Sequence, residues 1–165
     1  MSAVEVVFVA LGVVTLGSAV LVVATRQLVH AALWLVVTLG SVAGCYLVLT
    51  AELVAWVQVL IYVGGVVVLL VFGIMLTRAP IGRSGDLDSG NRAVAAVVAV
   101  AAAAILVTVT VSGFATAYVD LGAGVGTANV LGAAIFRTWV LPFEVLSVLL
   151  LASLIAAIVL SRGGS

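Results

Sequence analysis

Five stretches of this chain, residues 6–25, 31–51, 53–77, 93–118 and 138–161, are apolar and free of charge apart from Glu144 in the last. Each has the length that a bilayer core of about 30 Å demands of a helix, about 20 residues. Hydrocarbon offers no water to backbone amides, so a lone span of this kind must be helical. The expected fold is an all-α integral membrane protein: one transmembrane domain over residues 1–165 with five transmembrane helices in the lipid bilayer. Of the 165 residues, 66% are hydrophobic and 7% are charged, which leaves no soluble domain to carry a catalytic centre.

The connections set the topology. The second and third spans meet across Glu52 as a tight antiparallel hairpin. "RAPIGRSGDLDSGNR", residues 78–92, reads as a solvated loop from its Pro, Gly, Ser and Asp content. Residues 119–137 form a Gly-rich outer loop, apolar enough to lie at the membrane surface. Five spans put Arg26, Arg78, Arg83, Arg92 and Arg162 on one side, against Arg137 with Glu5, Glu52 and Asp120 on the other. That bias predicts a cytoplasmic C-terminus and 78–92 loop, and an N-terminus outside. Trp34, Tyr46, Trp56, Tyr118 and Trp139 fall near predicted helix ends, as an interfacial aromatic belt does. No basic residue precedes Arg26, so the first segment reads as a retained helix rather than a signal peptide. A net charge of zero excludes the basic field that nucleic acid requires. The sequence reads as having no internal repeat, so a transporter of duplicated halves gains no support.

The third span, "LVAWVQVLIYVGGVVVLLVFGIMLT", departs from what lipid favours by carrying Gln58, Tyr62, Gly64 and Gly65. Tyr62 lies roughly 14 Å along the helix, near mid-membrane. In α geometry Gln58, Tyr62 and Gly65 share one face, which cannot look at lipid because a buried amide and phenol need partners. Paired glycines lower the cost of leaving α geometry, so this turn could hold a one-residue π-bulge; the competing reading is close packing of a neighbouring helix. Gly40 and Gly44, and the pairs Ala152/Ala156 and Ser153/Ala157, read as helix contacts. "GAGVGTAN" lacks the strand that a dinucleotide-binding loop follows. Glu144, about a turn and a half into the fifth span, is costly when ionised unless paired or wet. It reads equally as a proton relay or as a carboxylate bonded to a neighbouring subunit. Glu52 reads as a solvated or helix N-terminal acid and His30 as interfacial. One His and the single Cys45 cannot build a metal or haem site, and no nucleophile–base pair is present.

Residues 30–77, with the run "QVLIYVGG", and residues 131–162, with "LPFE", resemble subunit J, or chain 6, of proton-translocating NADH:quinone oxidoreductase, respiratory complex I. The resemblance implies a multi-pass subunit of the cell inner (plasma) membrane. Its implied partners are the quinone-proximal subunit, small three-helix subunits and antiporter-like subunits. NADH, flavin, iron–sulfur clusters and quinone are then expected on other subunits, with no cofactor, metal or active site on this chain. It also implies a π-bulge switch at Tyr62, Gly64 and Gly65, beside a hydrated proton path that includes Gln58 and Glu144. Many relatives carry Glu where this chain has Gln58, and an amide can order water but cannot exchange a proton. The alternatives are the same subunit in a relative fed by ferredoxin or another donor, and a small membrane scaffold or transporter.

Overall fold

The computed structural model describes residues 2–76, 91–117, 124 and 126–162. The described residues with regular structure are all helical: α1 (Ala3–Ala24), α2 (Leu28–Val48), α3 (Glu52–Val57), a π-helical segment (Gln58–Val66), α4 (Val67–Leu76), α5 (Arg92–Phe114), α6 (Ala128–Arg137) and α7 (Val140–Arg162). Five helices are long and apolar enough to cross a membrane: α1, α2, the continuous Glu52–Leu76, α5 and α7. Residues 78–90 of the expected cytoplasmic loop lie outside the described residues, as do Tyr118 and residues 119–123.

Capping chemistry moves the helix ends from their expected places. The Ser2 hydroxyl accepts from the Glu5 N–H at 3.3 Å while the Glu5 carboxylate accepts from the Ser2 N–H at 2.9 Å. This reciprocal box starts α1 at Ala3 rather than residue 6. α2 ends at Val48, short of residue 51, in a Schellman-type turn. The Thr50 N–H bonds the Leu47 carbonyl at 3.0 Å and the Ala51 N–H the Tyr46 carbonyl at 2.9 Å. Glycine usually fills the left-handed position of such a turn; here Thr50 occupies it with φ 62°. The outer loop expected over 119–137 contains a helix, α6.

The packed part of the chain is a layer of three helices, with α2 between α1 and the third span. The α1–α2 contact rests on one tetrapeptide used twice, Thr-Leu-Gly-Ser at residues 15–18 and again at 38–41. Antiparallel packing pairs each Thr with the other helix's Ser. The Thr15 hydroxyl donates to Ser41 at 2.9 Å, and the Thr38 hydroxyl donates to Ser18 at 2.8 Å. Each Ser in turn donates to its own backbone, Ser18 to the Val14 carbonyl at 2.7 Å and Ser41 to the Val37 carbonyl at 2.9 Å. No buried side-chain polar atom among the described residues is left without a partner. Gly44 also serves this contact, since a Cβ there would meet the Leu11 methyls at 3.2 and 3.3 Å. Gly40 does not, because a Cβ there would meet nothing within 4 Å.

Outside that layer little is covered. Among the described residues α5 packs against no other element and α7 only against α6. The small-residue pairs of α7, Ala152/Ala156 and Ser153/Ala157, are consequently exposed. The chain presents 12944 Å² of accessible surface, against about 7,600 Å² for a compact soluble monomer of 16.6 kDa.

Ser41→Ala should lower the unfolding free energy of the chain in detergent by about 1 kcal/mol. The loss stays modest because the Thr15 hydroxyl then turns its one proton to the Leu11 carbonyl, 2.8 Å away. Ser153→Ala, whose hydroxyl bonds only its own helix at Leu149, should change nothing measurable. Equal effects of the two substitutions would remove the ladder as the source of α1–α2 cohesion.

Candidate functional site

The departure from α geometry lies where the third span carries its polar and glycine residues. It covers nine residues, Gln58–Val66, rather than the single bulged residue expected. The Gln58 N–H still reaches back to the Val54 and Ala55 carbonyls, whereas the Val67 N–H reaches five residues back to Tyr62. Bonding i to i+5 widens the turn without leaving an amide unpaired, which is the form of irregularity that a membrane interior tolerates.

Winding changes which side chains share a face. The less exposed positions of the third span run Leu53, Ala55, Gln58, Val63, Gly65, Val67, Val71 and Ile74. The one step of five in that series, Gln58 to Val63, falls inside the π segment. Ala55 at 2% and Val67 at 1% exposure are the fully covered ends of this contact. Gln58 and Gly65 are half-buried, but Tyr62 is 47% exposed and Gly64 is exposed. The single face expected for Gln58, Tyr62 and Gly65 therefore exists only if this segment is α-helical.

The two glycines are not filled by a neighbour. A Cβ on Gly64 would meet the Val59 carbonyl of its own helix at 3.4 Å, and one on Gly65 the Leu60 carbonyl at 3.8 Å. These are ordinary contacts, so close packing of another described helix does not account for the pair. Their contribution is backbone freedom, since glycine lowers the cost of leaving α geometry.

Glu144 lies on α7, exposed, and α7 makes no contact with the third span among the described residues. The structure thus brings Gln58, Tyr62, Gly64 and Gly65 into one segment and does not join Glu144 to them. Among the described residues, no hydrogen-bond partner is recorded for the Gln58 amide, the Tyr62 hydroxyl or the Glu144 carboxylate. Glu52 begins α3 and is exposed, as its reading as an N-terminal acid requires. No three side chains of His, Cys, Asp or Glu among the described residues gather as a metal site. The residues missed by sequence reasoning are the two Thr-Leu-Gly-Ser copies, whose signal was their identity, and the Thr50 turn with Gly126 against it, which has no local signal.

Residues 18–160 match the family described as NADH-ubiquinone/plastoquinone oxidoreductase chain 6. The chain is 37% identical over 163 residues to F(420)H(2) dehydrogenase subunit J of Methanosarcina mazei, covering 95% of this chain and 90% of that protein. It is 37% identical over 153 residues to NAD(P)H-quinone oxidoreductase chain 6 of Nostoc sp., covering 92% and 76%. NADH-quinone oxidoreductase subunit 10 of Thermus thermophilus is 36% identical over 149 residues, with 89% and 83% covered.

Gly64→Ala should leave the isolated chain's melting temperature in detergent unchanged or slightly raised, because alanine favours helix by up to about 1 kcal/mol. A fall of several degrees would show that something presses on this position.

Proposed function

This chain belongs to the NADH-ubiquinone/plastoquinone oxidoreductase chain 6 family, and from that membership we propose that it couples quinone reduction to proton translocation within the membrane arm of such a complex. It is a multi-pass membrane subunit of an oxidoreductase complex. Its proposed neighbours are the quinone-proximal subunit, the small three-helix subunits and the antiporter-like subunits. The uncovered α5 and α7 and the exposed Tyr62 and Glu144 support that reading, since polar groups in hydrocarbon need partners that the described residues do not supply. Electron transfer, with NADH, flavin, iron–sulfur clusters and quinone, belongs to other subunits in this proposal.

The observation that carries the proposal is the π segment at mid-span, built around Tyr62 and the glycine pair. Converting one π turn to α re-aims everything beyond it by about 100°, the angle that one residue subtends in an α-helix. Tyr62 would then swing onto the Gln58 face, and the water ordered beside Gln58 would be broken or joined. Gln58 cannot itself carry the proton, so its part is to hold water. Two windings serve as a switch only if they lie within a few kcal/mol of each other.

The arginine distribution supports an outer N-terminus and a cytoplasmic C-terminus in the plasma membrane. The donor is a separate matter. The Methanosarcina mazei relative is named for F(420)H(2) and the Thermus thermophilus relative for NADH. Both a nicotinamide and another donor therefore fit the same membrane subunit, and the soluble subunits that co-purify with it identify which one is used.

Gly65→Val introduces a β-branched side chain that is stiff at χ1. The expected result is an assembled complex on a native gel with slowed but still coupled turnover. Loss of assembly would favour packing instead. Structures at rest and under turnover that keep one winding and one Tyr62 position would overturn the switch. For topology, Ser2→Cys in a Cys45→Ala background should react with an impermeant thiol reagent in intact cells, and Ser165→Cys should be protected; the reverse pattern would invert the chain.

A further inference from the structure

A rotation inside the third span does work at one end only if the other end is held. The turn before α3 is unusual because Thr50 takes φ 62° without being glycine. Gly126 is seated directly against it. A Cβ on Gly126 would lie 2.7 Å from the Ala51 Cα and 2.9 Å from the Thr50 carbonyl carbon, with the Thr50 oxygen closer still. No other described glycine is so tightly enclosed. The Gly126 carbonyl also accepts from the Leu53 N–H at 3.4 Å, using an amide of the first turn of α3 that has no partner within its own helix.

From Gly126 the chain continues into α6, which Thr127 caps at its start. α6 reaches α7 through a tight turn, where the Thr138 and Trp139 N–H groups both bond the Ala134 carbonyl, at 2.9 and 3.2 Å. Phe136 and Phe143 close the corner edge to face at 4.9 Å. A continuous series of contacts therefore runs from the start of the third span, through α6, to the first turn of α7.

We propose that Gly126, seated on the Thr50–Ala51 turn, is a positioning residue that fixes the outer end of the third span, so that rewinding of Gln58–Val66 is delivered to α4 and not dissipated at α3. The inference rests on the switch reading above. With α3 free, a change in winding would be shared between both ends. With α3 clamped to α6, and α6 braced on α7, the whole rotation passes to Val67–Leu76.

The test compares two alanines in the intact complex. Gly126→Ala must displace backbone, whereas Gly132→Ala adds the same methyl group to α6 where nothing lies within 4 Å. Protons pumped per electron and hydrogen exchange of the 52–57 amides are read together. In assembled Gly126→Ala complex that still reduces quinone, the proton-to-electron ratio should fall by about twofold or more, with faster exchange in α3. Gly132→Ala should match the unsubstituted complex in both. Unchanged ratio and exchange in Gly126→Ala would overturn the clamp. An unchanged ratio with faster exchange would overturn the switch reading, and the proposal with it. If Gly126→Ala blocks assembly, Phe143→Leu loosens the α6–α7 corner without adding bulk at the turn; an unchanged ratio there overturns the proposal, and a lowered one supports it.

Discussion

Every backbone amide in a bilayer must find a carbonyl within the protein, and this requirement governs the whole chain. It forces the five spans into helices before any side chain is considered. It also limits how a span can be made irregular. A kink that frees an amide is costly in hydrocarbon, while a π turn only reassigns each bond by one residue. The third span uses that permitted departure over Gln58–Val66, and does so with continuous helix on either side.

Once the backbone is satisfied, hydrophobicity no longer distinguishes one apolar helix face from another, because lipid is as apolar as leucine. Packing must then come from small residues and hydroxyl groups. α1 and α2 use both, in a two-fold arrangement of Thr15, Ser18, Thr38 and Ser41 with Leu11 against Gly44. The third span packs on the other side of α2 through Ala55 and Val67, which bracket the π segment, and the segment itself also lies against α2.

The same logic accounts for the bare helices. α5 and α7 have the length and hydropathy of spans but little to pack against among the described residues. A membrane subunit completed by its neighbours has this form, and the family to which the chain belongs is one of multi-subunit oxidoreductases. Glu144 and Tyr62 are exposed on separate elements of this chain.

Length and apolarity alone determined the five spans, because the bilayer fixes both quantities independently of contacts. The weak point of the third span was equally legible, since Gln58, Tyr62 and paired glycines are conspicuous among valines and leucines. Helix ends were less so: Ser2 with Glu5 starts α1 early, and the Thr50 turn stops α2 early, by hydrogen bonds that hydropathy does not see. Only the tertiary structure decided that the π winding extends over nine residues, that Gly44 packs and Gly40 does not, and that Gly126 meets Thr50. The last two depend on which parts of the chain become neighbours across 32 and 75 intervening positions. Winding itself is set by small differences between bonding i to i+4 and i to i+5, which local composition biases and surrounding contacts resolve.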